Sequence, residues 1–186
     1  MYQTREKLLE FVRPHLKQSR FEHTVRVTDT AVKLAEKYGA DVEKAETASI
    51  LHDYAKHKPI EELKSWILRE EKLSNDLLSY HHELWHGPVG AMMLKDELQI
   101  QDEEILSAIA AHTTGKKNMS LLDKVVFLAD YIEPGRNFEG VEQVREIAEK
   151  DLNEACLQSL VNTVQFLTNN KRTVYPDTIH AYNALV

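Results

Sequence analysis

The sequence predicts an all-α protein, and three observations carry that expectation. Apolar residues recur at helical spacing along most of the chain, and capping residues stand before the periodic segments. Glycine and proline, 6 and 5 of 186 residues, are too scarce for a turn-rich β architecture. Ser19 is placed to cap a helix through Tyr38, closed by Gly39, with Val25, Val27, Val32, Leu34 and Ala35 as its apolar positions. Asp41 caps a second helix through Ala45, Ala48, Ile50 and Leu51 to about His57. Pro59 with Glu61 and Glu62 marks a third start, with Trp66 and Ile67 packing. Residues 74–87 are less regular, and Gly87–Pro88 breaks the chain before a helix over Val89–Leu98. Asp102 caps a helix to His112, a loop around Gly115 follows, and Ser120 caps Leu121–Glu133, stopped by Pro134–Gly135. Two further helices fall near Val141–Lys150 and Asp151–Thr168, and KRTVYPDT leads into a short last one. The expectation is one compact helical domain over residues 1–186, without strands or repeats.

Composition narrows the function classes. An apolar share of 42% with 28% charged residues is ordinary for a globular cytosolic protein. A single cysteine, Cys156, excludes an internal disulfide and a cysteine-based zinc site, and its helical context makes it core filler. The N-terminal residues lack a signal pattern, and no apolar run approaches the ~18 residues of a membrane span, so a cytoplasmic location without membrane contact is expected. A net charge of −7 with no basic block argues against a nucleic-acid partner. A phosphate substrate would need local positive charge, and a metal ion supplies it most simply.

Chemistry concentrates in a few of the nine histidines. His52–Asp53 is an adjacent pair inside the apolar stretch SILHDYA. Neighbouring helical residues point about 100° apart, yet both side chains can converge on an ion seated between them. A lone His–Asp step is ordinarily a solvated feature. Asp130, inside VVFLADYI, adds a carboxylate whose flank is buried, and an unpaired buried carboxylate costs several kcal/mol or takes up a proton. A metal removes that cost, as would a basic neighbour. His23, in RFEHTVRV near a helix start, completes an ordered set: His, then His–Asp about thirty residues on, then Asp on a later helix.

The order His23, His52–Asp53, Asp130 resembles the HD-domain metal-dependent phosphohydrolase superfamily. The segments RFEHTVRV, LHDYAK, LWHGPVGA, AIAAHTTG and LADYIEPGR, spanning Arg20 to Arg136, with a weaker echo in VYPDT, are similar to its YqeK-type branch of symmetrical diadenosine tetraphosphate hydrolases. The resemblance implies a metal core over about 19–136, with C-terminal helices over 141–186 packed on it. It implies one divalent transition metal on His23, His52, Asp53 and Asp130, with iron first and manganese second, since a mixed N/O donor set suits both. His86 and His112 ligate a second ion in two-metal relatives and lie beside the phosphates in this branch, so either role is open. His15, His57, His81, His82 and His180 have no such context.

Positive residues near these positions answer the phosphate requirement. Arg20 stands three before His23, Lys56 three after Asp53, and Arg136 just past the Asp130 helix; each alone reads equally well as a solvated surface charge, and together they form a clamp for a polyphosphate. His23, His86, His112, Thr113 and Asp130 join them as substrate contacts, and Lys171, Thr173 and Tyr175 would close the pocket. Asp53, His86 and Lys56 are the catalytic candidates, for orienting water, moving a proton and neutralising charge. The implied reaction is symmetrical cleavage of diadenosine tetraphosphate to two ADP, by a homodimer if the resemblance extends so far. Two other readings remain: a phosphohydrolase of nucleoside mono-, di- or triphosphates on the same metal, and a non-catalytic nucleotide-binding regulator.

Overall fold

In the computed structural model, which describes residues 4–186, ten α-helices and no strand form among those residues. They are α1 (Arg5–Val12), α2 (Gln18–Tyr38), α3 (Val42–Leu51), α4 (Ile60–Arg69), α5 (His86–Glu97), α6 (Glu103–Ala111), α7 (Leu121–Ile132), α8 (Val141–Ala148), α9 (Leu152–Asn169) and α10 (Pro176–Leu185). Short polar side chains start several of them by accepting from otherwise unpaired first-turn amides. Asp41 accepts from Lys44 N at 3.0 Å, Asp102 from Glu104 N at 3.0 Å, and Asp151 from Asn153 N at 2.8 Å. Ser120 and Asp123 form a reciprocal capping box at the start of α7. Gly39 closes α2 in the left-handed region at φ +76°.

Three expected boundaries move, and one helix is new. The cap of α2 is Lys17, without a side-chain bond, and Ser19 lies inside the helix. α3 ends at Leu51 rather than near His57, and residues 52–57 form turns. α5 begins at His86, so Gly87–Pro88 lies within its first turn. There the proline's missing N–H falls among donors that have no partner in the helix anyway. α1, followed by a 3₁₀ turn over Arg13–His15, was not anticipated at all.

Three helices, α3, α6 and α7, touch one another at the centre. α2 lies across α3 and α7, α5 lies on α6, and α1 lies on α3. α9 packs on α7 and α8, and α10 on α9, so the C-terminal helices rest on the central group. Ile50, Leu51, Met93, Leu94, Ile105, Ile109, Leu128 and Leu160 are fully buried between them, each contributing about 1.5–3 kcal/mol of apolar transfer. Cys156 is buried in the same core, and burial pushes its thiol up to about 12, which fits core packing. No helix among the described residues is long and apolar enough to cross a membrane.

Candidate metal centre

The ends of four helices and the second turn of a fifth converge at one point. His52 and Asp53 follow the last residue of α3, His112 follows α6, His86 opens α5, and Asp130 lies in the last turn of α7. His23 comes from the second turn of α2. Five of the six are buried, and the Asp130 side chain is 17% exposed. His23 Nε2 lies 3.0 Å from Asp130 Oδ1 and 3.7 Å from Asp53 Oδ2. His52 Nε2 lies 3.1 Å from Asp53 Oδ2 and 3.9 Å from Asp130 Oδ1. His86 and His112 approach the other oxygen of Asp53, at 3.1 and 3.9 Å.

Each imidazole is oriented in the same way. His52 Nδ1 lies 2.6 Å from Ser49 O, His86 Nδ1 2.6 Å from Glu83 O, and His112 Nδ1 2.7 Å from Ile109 O. All three acceptors are carbonyls three residues earlier. His23 Nδ1 instead lies 3.0 Å from Glu133 Oε1. These oxygens can only accept, so every Nδ1 carries a proton and Nε2 is the atom turned toward the centre. Outer partners of this kind set the tautomer of metal-bound histidines.

Glu133 is the residue that sequence reasoning missed. It is buried, and it also accepts from Arg26 Nε at 2.6 Å and from Gly135 N at 2.6 Å. Burial alone would raise its carboxyl, but the Arg26, His23 and Gly135 bonds outweigh that and hold it at about 2. A Cβ on Gly135 would sit 2.5–2.7 Å from the Arg26 guanidinium, so the glycine makes room for the pair. The available signal was a glutamate three residues after Asp130, one helical turn on.

Electrostatics favour a cation. Burial would raise Asp53, yet the charges and hydrogen bonds of His52 and His86 hold it well below the usual carboxylate range. Asp130 is depressed too, with the close approach of His23 and the Arg136 charge outweighing burial. Burial, reinforced by His52 and His86, pushes His112 down to about 3, leaving it neutral. The buried Asp53 and the largely covered Asp130 thus stay ionised among imidazoles. His23 Nε2 and His52 Nε2 are buried without a well-formed hydrogen bond, a cost of about 1–3 kcal/mol each unless a ligand fills the space. His23, His52 and Asp130 form one group with metal-ligand spacing, and His52, Asp53 and His112 form a second that shares His52. Nitrogen and carboxylate donors of this mix fit a divalent transition metal.

The cationic residues fall into two sets. Arg20 Nη1 reaches Asp53 Oδ2 at 3.0 Å, and Arg136 Nη2 reaches Asp130 Oδ1 at 2.6 Å. Lys56, on the turns after α3, pairs with Glu83 at 2.6 Å and lines a small pocket of about 110 Å³ beside His86; the helical placement expected for it is therefore corrected. Thr113 Oγ1 lies 3.0 Å from His112 Nε2. Lys171 and Thr173 are exposed on the segment after α9, and Tyr175 packs edge-on to Tyr80 with centroids 5.0 Å apart.

Close helix contact brings His86 and His112 together, their Nε2 atoms 3.0 Å apart. Gly87 permits it, since a Cβ there would stand 2.9 Å from Ala110 O and 3.4 Å from His112 Cε1. Gly87→Ala is expected to push α5 off α6 and cost about 1–3 kcal/mol of stability. Urea unfolding measures this, and an unchanged midpoint would mean the helices have room.

Histidines and carboxylates gathered at the meeting of helix ends and flanked by arginines supply donors for a divalent metal and cations for a phosphate. The HD domain profile matches residues 20–135, and the chain belongs to the HD-domain family. Similar proteins agree. The symmetrical bis(5'-nucleosyl)-tetraphosphatase of Bacillus subtilis is 52% identical over 182 residues, covering 98% of this chain and 97% of that one. Its counterpart of the same name in Halalkalibacterium halodurans is 50% identical with the same coverage. The crystal structure of a predicted HD superfamily hydrolase involved in NAD metabolism from Clostridium acetobutylicum has a TM-score of 0.93 at 39% identity, covering 100% of this chain and 98% of that one.

Proposed function

We infer that this chain is a metal-dependent hydrolase that cleaves diadenosine tetraphosphate symmetrically to two ADP. The observation that carries the reading is the cage of six side chains, in which two ionised carboxylates and two unsatisfied Nε2 atoms come together between Arg20 and Arg136. The name shared by relatives about half identical over nearly the whole chain supports the substrate.

His23, His52, Asp53 and Asp130 would hold one divalent ion, iron first and manganese second. Such an ion, when bound, polarises a phosphoryl oxygen and lowers the pKa of water. The chain's own residues do the rest. Arg20 and Arg136, already bonded to the two carboxylates, present their remaining N–H groups to phosphate oxygens and bind the charge of the departing ADP. Lys56 and Thr113 add a charge and a hydroxyl from the His86 and His112 sides. Lys171, Thr173 and Tyr175 would cover the bound nucleotide.

His86 and His112 present Nε2 to Nε2, and both carry their proton on Nδ1. Two lone pairs 3.0 Å apart repel, so a proton or a second ion belongs between them. We assign His86 Nε2, 3.1 Å from Asp53 Oδ1, as the atom that holds that proton and passes it toward the phosphates. The reading includes a single helical domain, a cytoplasmic setting, a homodimer and, from the net charge of −7, no nucleic-acid partner. Chromatography of products from diadenosine tetraphosphate tests the central claim. ADP alone is expected; AMP with ATP, or binding without turnover, would refute it.

A further inference from the structure

A cleft of about 910 Å³ lies away from the six-residue cage, between the end of α7, the start of α8 and one face of α9. We propose that this cleft receives the nucleoside of the second half of the substrate, while the segment 171–175 covers the first. The proposal rests on the dinucleotide reading above.

Its lining is unusual for this chain. Six of twelve lining residues are Asn or Gln and only Glu139 is charged, although 28% of the sequence is charged. A carboxamide offers a donor and an acceptor side by side, the pattern that the edge of adenine presents in reverse. Asn162 already holds Gln158 Nε2 on its oxygen at 2.8 Å. Its own Nδ2 is buried without a well-formed hydrogen bond, in the wall of the cleft beside Tyr131.

Aromatic faces complete the chemistry. Phe138 and Phe166 line the cleft while 41% and 56% exposed, open for a base to stack. Tyr131 meets Phe138 edge-on at 5.0 Å, as Tyr175 meets Tyr80 at 5.0 Å. One such edge-on pair thus lies in the cleft and another beside the segment 171–175, a placement that suits a substrate with two bases. The pocket of about 110 Å³ beside His86 is too small for a nucleoside.

The cleft is joined to the metal centre through the chain itself. Tyr131 follows Asp130, and the loop after α7 carries Glu133 and Arg136 toward the centre, then Phe138 and Glu139 into the cleft. Arg145 ties this loop down, with Nη2 donating to Glu133 O at 2.7 Å and to Arg136 O at 2.9 Å. At the other edge Arg172 stands over the Phe166 ring, 5.8 Å from its centroid.

The test compares a two-base with a one-base substrate. For Phe138→Ala/Phe166→Ala, KM for diadenosine tetraphosphate should rise about tenfold relative to KM for adenosine 5'-tetraphosphate, within the range of about 5- to 150-fold for loss of base stacking. Both side chains are partly exposed, and circular dichroism checks the fold. Saturation-transfer NMR with adenosine on the wild-type chain should show binding that the double variant reduces, since the site under segment 171–175 is untouched. An unchanged KM ratio would overturn the proposal, as would adenosine binding indifferent to the substitutions. So would a shift from dimer to monomer in sedimentation with the ratio intact, which would make the cleft a subunit interface. Failure of the wild type to hydrolyse the dinucleotide would refute the function instead, and the adenosine experiment would still decide the cleft.

Discussion

Asp53→Ala is expected to remove bound metal and turnover together while leaving the helical content in place. No other side chain at the centre has so many charged or ionisable neighbours. Arg20 lies at 3.0 Å, His52 and His86 at 3.1 Å, His23 at 3.7 Å and His112 at 3.9 Å. Its two oxygens face different pairs of histidines, so one substitution removes the carboxylate of the second group with metal-ligand spacing and a close neighbour of both imidazoles of the first. Alanine leaves the partly buried Arg20 guanidinium without its carboxylate and only Asp130 to balance a divalent cation among the imidazoles, so the ion loses both a ligand and half of the counter-charge. Asp53→Asn separates shape from charge. The amide keeps the volume, yet it puts a donor where at least one partner is already a donor, so metal binding should fail there too. Metal content after gel filtration and initial rates on diadenosine tetraphosphate measure the outcome. Full activity in metal-free Asp53→Ala would sink the mechanism.

Glu133→Gln should weaken metal binding by about 10- to 100-fold, the range found when an outer partner of a ligating histidine is lost. Glu133 touches no substrate in this reading; it is a positioning residue acting through His23. Its two oxygens accept from His23 Nδ1, from Arg26 Nε and from Gly135 N. In glutamine one oxygen becomes an NH₂, so one donor necessarily faces another, and Arg26 loses its counter-charge. His23 is then free to turn or to exchange tautomer, and Nε2 no longer points reliably at the centre. Chelator competition with manganese reads the affinity directly, apart from catalysis. A merely structural role would lower the unfolding midpoint without changing affinity, and unchanged affinity would remove Glu133 from the site.

Much of this was legible from residue order. The caps Asp41, Asp102 and Ser120 sit at the starts of α3, α6 and α7, because capping is a bond between neighbours a few residues apart. The all-helical class followed from periodicity, which is equally local. The boundaries that moved depend on distant packing. α3 stops at Leu51 so that His52 and Asp53 can turn into the centre, and α5 starts at His86 because Gly87 lets it lie against α6. Lys56 looked helical beside Asp53, but the chain turns there and the ammonium meets Glu83. The carbonyl partners of His52, His86 and His112 lie three residues upstream, so their spacing was local, but only the fold shows those rings turned inward.

What the sequence determined by itself was the class of the protein and the identity of the metal-centre candidates, since helical period, caps and the ordered His, His–Asp and Asp are carried by residue type and spacing. The tertiary structure decided how those residues meet. It showed four imidazoles presenting Nε2 to two ionised carboxylates, with Glu133 behind His23 across 110 positions of chain. It also opened the amide-lined cleft between α7, α8 and α9. The reason is range: spacing describes interactions within a turn or two of helix, whereas a buried charge finds its partners wherever packing brings them.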